Sequence, residues 1–306
     1  MSASGSTRAI LAALLANAGI AVAKFVGFFF TGSSSMLAEA VHSVADTSNQ
    51  ALLLLGQRRA RREATDLHQF GYGRSRFFYS FVVALVLFSL GAVFALYEGY
   101  HKIGHPEQLT SPLVAIGILV VAIGLESYSF RTAVVESRPL KGSGSWWQFI
   151  RRSRNPELPV VLLEDTGALL GLVFALSGVG LTILTGNPVW DGVGTVLIGA
   201  LLGIIAVILM VEMHSLLIGE SATAEEWAAI ESALAQTENV DRVIHLRTQY
   251  LGPEEMLVGA KIALAASTDL ATVAAAIDRA EAAVRAAVPA ATVIYIEPDL
   301  DRSRAR

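Results

Sequence analysis

The sequence predicts an α-helical membrane protein: six transmembrane helices followed by a cytoplasmic ferredoxin-like α-β-β-α-β domain. Three observations carry that prediction. Of the 306 residues, 53% are hydrophobic and only 16% charged, against about 25% charged in an ordinary soluble domain. Six apolar runs precede residue 220, each near the roughly 20 residues that a bilayer-crossing helix needs. Beyond that point the pattern changes to short β-rich runs alternating with amphipathic helices. The change places a transmembrane domain at 1–219 and a C-terminal α+β domain at 220–306.

The first run, Ile10–Phe30, carries Asn17 and Lys24 and has no A-x-A site before its end, so it reads as a span rather than a cleaved signal. Lys24 is expected to snorkel or to touch a neighbouring helix. The second run, Met36–Gly56, holds Glu39, His42 and Asp46 in its interior. The third and fourth are Phe77–Tyr100 and Ser111–Val135, and the fifth, Leu158–Thr185, has Glu164 and Asp165 near its start. The sixth, Val189–Leu217, opens with Asp191 as a helix-start residue. Glu98, Glu126 and Glu212 lie near span ends or close to partners such as Arg131, and read as structural. The stretch 137–157, with Gly142, Gly144, Trp146 and Trp147, reads as a linker resting its tryptophans on the membrane surface.

Loop charge orients the spans. Arg58, Arg59, Arg61, Arg62, Arg74 and Arg76 surround the second-to-third loop, and Arg138, Lys141, Arg151, Arg152 and Arg154 surround the fourth-to-fifth. The intervening loops hold only Lys102. Positive loops stay in the cytoplasm, which puts both termini there. The net charge of -4 and the topological placing of the arginines give no footprint for nucleic acid. Cysteine is absent, which excludes disulfides, thiolate metal sites and cysteine nucleophiles. No phosphate loop or nucleophile motif supports an enzyme, and no resident cofactor is expected.

In the C-terminal segment the helical runs are Thr223–Gln236 and Asp269–Val288, the second stopped by Pro289. The β-rich runs are Val240–Tyr250, Met256–Leu264 and Ala291–Glu297. That α-β-β-α-β order is of the ferredoxin-like kind.

The chemistry concentrates in SSSMLAEAVHSVADTSNQALLLLG, Ser33 to Gly56. His42 and Asp46 stand four apart and share a helix face, roughly 5–6 Å between Cβ atoms. Ionisable groups at membrane depth are expensive and mark ion pathways by default. With cysteine absent, a metal here is held by His, Asp and Glu, a donor set suited to zinc, manganese, iron or cobalt. The fifth span's VVLLEDTGALLG adds Glu164 and Asp165. Adjacent residues point about 100° apart, so only one faces the second span squarely. Gly167 and Gly171 form a small-xxx-small pattern expected to bring that span close.

These residues resemble the cation diffusion facilitator family, over nearly the whole chain. HSVADTSNQ, LLEDTG and the fourth-span ESYSFRTA, with the loop DLHQFGYGR, look like the branch that includes animal zinc transporter nine. The resemblance implies a divalent-cation exporter, zinc first, that exchanges metal for protons by alternating access and works as a homodimer. It implies metal held mid-membrane by His42, Asp46 and Asp165, with Glu164 or water as fourth ligand, because Val161 stands where the family offers a ligand four residues before its Asp. The family's loop metal site is expected to be lost: His68 and Asp66 remain, but Tyr72 stands where a second His belongs. The C-terminal domain keeps only His245 and has Tyr295 at a common His position, so it is expected to dimerise rather than sense metal. The titration of an imidazole near about pH 6.5 fits proton exchange. High Ala and Arg usage points to a bacterial inner membrane. Two other readings stay open: manganese or ferrous iron export on the same scaffold, and a membrane-anchored interaction protein whose carboxylates only hold the bundle together.

Overall fold

Inside hydrocarbon every backbone amide needs an internal partner, so a chain this apolar is driven into long helices. The computed structural model describes residues 3–31, 34–106, 108, 112–265 and 267–300. Its elements are α1 (Ala3–Thr31), α2 (Ser34–Ala60), α3 (Ser75–Val86), a π-helical segment (Leu87–Val93), α4 (Phe94–Gly104), α5 (Pro112–Lys141), α6 (Trp146–Arg152), α7 (Glu157–Thr185) and α8 (Val189–Ile218). The C-terminal segment follows with α9 (Ala224–Ala235), β1 (Arg242–Gly252), β2 (Glu255–Ala263), α10 (Leu270–Ala287) and β3 (Ala291–Asp299). Among the described residues four helical runs are long and apolar enough to cross a membrane: Ser75–Gly104, Pro112–Lys141, Glu157–Thr185 and Val189–Ile218. α1 offers a shorter apolar stretch, Ile10–Val26. α2 is long but diluted by Ser, Asp, Asn and Gln. The protein is a membrane protein with several apolar helices and a small mixed sheet.

The described chain divides into two compact units, one of Met1–Arg58 with Arg76–His214 and one of Arg59–Ser75 with Ser215–Arg306. The loop between α2 and α3 therefore groups with the C-terminal segment.

In the first unit, Ile20 of α1, Leu119 and Ala122 of α5, and Leu172 and Val179 of α7 form one apolar cluster. α5 buries Leu119, Ala122, Glu126, Ser129, Ala133 and Ser137, a stripe at three- and four-residue steps that is one helix face. α2 buries a polar stripe at Ser43, Asn49, Gln50 and Gln57. Gln57 accepts from Thr7 Oγ1 of α1 at 2.9 Å. Elsewhere close approach is made by glycine. A Cβ at Gly199 of α8 would lie 2.7 Å from the Leu96 nitrogen of α4, and one at Gly99 of α4 would lie 2.7 Å from the Val196 nitrogen of α8. The expectation for Gly167 and Gly171 needs correcting. Their faces meet Ile205 and Ile198 of α8, so the small-residue pattern seats α7 on α8 rather than on α2. At the helix starts, Arg76 of α3 donates to Glu157 of α7 through Nε at 2.5 Å and Nη2 at 2.7 Å, both side chains buried.

The expected 137–157 linker also differs. α5 runs on to Lys141, and WWQFIRR forms α6 behind a capping box of Ser145 and Gln148. The local cap outweighs the glycines. Lys141 donates to the Gly144 carbonyl and stands 5.3 Å from the centre of the Trp146 ring.

In the second unit the sheet order is β1-β2-β3, antiparallel between β1 and β2 and parallel between β2 and β3. The strands fall where the β-rich runs placed them, within a few residues. Ile230 and Leu234 of α9, Ala280 and Val284 of α10, and Met256, Val258 and Ile262 of β2 make a continuous core. Thr223 and Glu226 cap α9 reciprocally, and Tyr250 of β1 donates to the same Glu226 at 2.6 Å. Gly73 of the 59–75 loop lies against the β1–β2 turn, where an added Cβ would come 2.9 Å from the Leu251 carbonyl and 3.0 Å from Gly252 Cα.

Candidate metal centre

The candidate site forms where α2, α5 and α7 bring polar faces into an apolar bundle. Asp46 is half-buried on α2, while Glu164 and Asp165 of α7 are buried, Asp165 being 1% exposed. The backbone of His42 belongs to α2; its side chain lies outside the described residues, as does that of Glu39.

The adjacent carboxylates diverge as helix geometry demands. Glu164 turns to α2, accepting from Asn49 Nδ2 at 3.2 Å and Gln50 Nε2 at 2.7 Å. Asp165 turns to α5 and accepts from Ser129 Oγ at 2.8 Å. Asp46 is within electrostatic reach of both. Among the described residues no group of three or more His, Asp or Glu gathers closely enough to hold a metal ion. What the bundle brings together is Asp46 and Glu126 on one small cavity, with Glu164 and Asp165 near enough to feel the Asp46 charge.

That cavity has a volume of about 40 Å³, enough for an ion or one to a few waters. Its polar lining is Lys24, Ser43, Asp46 and Glu126, with Gly167 and Gly171 among the apolar wall. Lys24 of α1 is 5% exposed and donates to Ser43 Oγ at 3.0 Å. Lys24 touches a neighbouring helix, as expected, and does so at the polar cavity. One sequence expectation changes here. Glu126 belongs to the cavity wall rather than to a span-end ion pair, and the buried stripe on α5 was the signal that could have placed it. Asn49, Gln50 and Ser129, which hold the carboxylates, were not singled out from the sequence; polar residues at helical spacing inside an apolar run mark them.

Of the residues read as structural, Glu212 pairs with Arg151 at 3.0 Å and Asp191 with Lys102 at 3.1 Å. In the 59–75 loop, the His68 and Tyr72 rings lie tilted against each other with 4.6 Å between centres, and Tyr72 Oη lies 3.2 Å from Thr65 Oγ1. Tyr72 thus fills the place beside His68 with a ring.

Comparison with known proteins bears on this arrangement. Residues 10–218 match the model of the cation efflux transmembrane domain. The chain is 33% identical over 243 residues to the proton-coupled zinc antiporter SLC30A9, mitochondrial, of Homo sapiens, covering 79% of this chain and 43% of that protein. It is 30% identical over 265 residues to metal tolerance protein C4 of Arabidopsis thaliana, covering 84% of this chain and 57% of the relative. A bacterial relative, zinc transporter ZitB of Pectobacterium atrosepticum, is 26% identical over 258 residues, 83% of this chain and 75% of its own length. The chain spans less than half the length of the SLC30A9 proteins it matches. The domain match runs from α1 to the end of α8, across every helix that lines the cavity, and on that extent the chain belongs to the cation efflux family.

Proposed function

We propose that the protein exports a divalent cation, zinc first, in exchange for protons. Six helices, α1, α2, α3–α4, α5, α7 and α8, cross the bilayer with both termini cytoplasmic, and the C-terminal unit is a ferredoxin-like domain through which two copies pair. Metal from the cytosol binds mid-membrane between α2 and α7, at His42, Asp46 and Asp165, with Glu164 as the sequence's fourth candidate. The helices then rock, and protons from the other side replace the ion. A bacterial inner membrane is the proposed location, and the metal is cargo rather than a resident cofactor.

The observation that carries this reading is that carboxylates on α2, α5 and α7 lie within electrostatic reach of one another inside the bundle, with Asp46 and Glu126 lining one cavity. Several carboxylates close together in an apolar bundle repel one another and lose hydration, a cost that a purely structural role leaves uncompensated and a bound cation offsets. Metal binding needs ionised carboxylates and neutral imidazole, so metal and protons exclude each other from the same groups. The relatives' printed names, a proton-coupled zinc antiporter and a zinc transporter, agree with this cargo and this counter-ion.

The carboxylate-rich donor set also favours manganese or ferrous iron as a second reading. Zinc uptake into proteoliposomes of the purified protein, with and without a pH gradient, tests both, beside an Asp46→Ala control. Gradient-dependent zinc flux that Asp46→Ala abolishes supports the antiporter. Flux of manganese or iron in place of zinc changes the cargo, and silence with every metal sinks the transporter reading.

A further inference from the structure

Resting on the transport reading above, the geometry points to Glu126 of α5 as a cation ligand in the transport cavity that Asp46 also lines. Nothing in the sequence motifs assigns it that role. Glu126 is 4% exposed and lines the cavity together with Asp46, Lys24 and Ser43. One of its carboxylate oxygens, Oε2, is buried without a hydrogen-bond partner. A buried carboxylate oxygen facing polar space without a donor is a rare and expensive arrangement, and ligand binding is one of the few things that relieve it. Its charge lies within electrostatic reach of Asp46, Asp165 and Lys24.

The competing candidate for a fourth ligand is already committed. Both oxygens of Glu164 accept from amide groups on α2, Nδ2 of Asn49 and Nε2 of Gln50. An oxygen that accepts such a bond can still bind a metal only by giving up or sharing it. Asp165 keeps one oxygen on Ser129, and Ser129 stands one turn beyond Glu126 on the same buried face of α5. α5 thus supplies the ligand Glu126 and the group that orients Asp165. Cation binding then depends on a third helix, so entry of the ion draws α5 towards α2 and α7. Lys24 shares the cavity and is held by Ser43 of α2. Its ammonium supplies the countercharge that makes this many carboxylates tolerable.

The test is metal binding by the purified full-length protein in detergent, with zinc for affinity and cobalt(II) as a spectroscopic probe of its ligands. Glu126→Gln keeps the shape and removes the charge. Its zinc affinity should fall at least about tenfold, the lower end of what losing even an outer partner of a metal site costs. The visible cobalt(II) spectrum should change, and the loss should exceed that in Glu164→Gln. Wild-type affinity and an unaltered cobalt spectrum in Glu126→Gln overturn the assignment, as does a larger loss in Glu164→Gln. If Glu126→Gln fails to fold, Glu126→Asp, which withdraws the carboxylate by one methylene, must show the same weakening for the assignment to stand. Binding of no metal by the wild-type protein defeats the transport reading and this inference together, whereas wild-type binding with unaffected variants defeats the inference alone.

Discussion

The amides around Glu164 show how single residues make a buried charge tolerable. Asn49 and Gln50 are adjacent, so their side chains leave α2 in different directions, yet both reach the Glu164 carboxylate. Charge-assisted bonds of this kind are worth about twice neutral ones, and removing one donor leaves the acceptor with its desolvation cost, about 1–3 kcal/mol. Gln50→Leu should therefore destabilise the protein by roughly that amount, read as a lower unfolding midpoint. Gln50→Glu, which sets a second carboxylate against Glu164, should be worse. A Gln50→Leu midpoint at or above wild type would show that these bonds contribute nothing. These amides stand in the sequence, in HSVADTSNQ, but nothing there says which carboxylate they serve. That needs the rotation of α7 about its own axis, which α8 sets through Gly167 and Gly171.

Between elements, a bidentate pair joins the start of α3 to the start of α7. Arg76 is 6% and Glu157 1% exposed, so breaking the pair removes the countercharge each holds at bonding distance. Arg76→Ala or Glu157→Ala should cost about 3–5 kcal/mol, while an apolar pair such as Arg76→Met with Glu157→Leu should recover most of it. Equal damage from the single and double replacements, read from thermal melts, would refute that coupling. Near the start of α4, Gly199→Val on α8 forces a side chain into the Leu96 backbone and should reduce the yield of folded protein, since backbone cannot step aside. The long helices were legible because an apolar run of that length has one answer in a bilayer. α6 was not, because WWQFIRR has no apolar periodicity of its own and forms only behind the Ser145–Gln148 cap. The place of Glu126 was legible in principle: the steps Leu119, Ala122, Glu126, Ser129, Ala133 trace one face of α5. In the sequence alone Arg131, five residues on, offers Glu126 a competing partner, but it is exposed while Glu126 is buried.

For the whole molecule, the C-terminal unit carries a pH signature of its own. Glu255, at the start of β2, has its carboxyl raised above the ordinary range, by burial first and by the neighbouring Glu254 charge second. The folded state therefore holds that proton more tightly than the unfolded state. The sign follows: the group favours the fold least at pH values above its folded pKa. Stability is regained as pH falls through that value, and the gain is complete below the unfolded value of about 4.3. Glu255→Gln should raise the unfolding midpoint of the C-terminal unit at neutral pH, with the advantage fading below about pH 4. An advantage independent of pH would contradict this origin. The alternation of β-rich and helical runs made the strands of this unit legible, because period-2 patterns survive without context. The membership of residues 59–75 in the same unit was not, since TDLHQFGYGR carries no periodic signal and its seat depends on Gly73 meeting Gly252 across a long sequence separation. That membership has a practical consequence for anyone dissecting the protein. The polypeptide passes from one unit to the other at three junctions, after Arg58, after Ser75 and after His214. A single scission can never release either half intact. Any fragment that begins at residue 215 leaves behind a strip of its own body, and the bundle left by the same cut keeps a strap with nothing to fasten to.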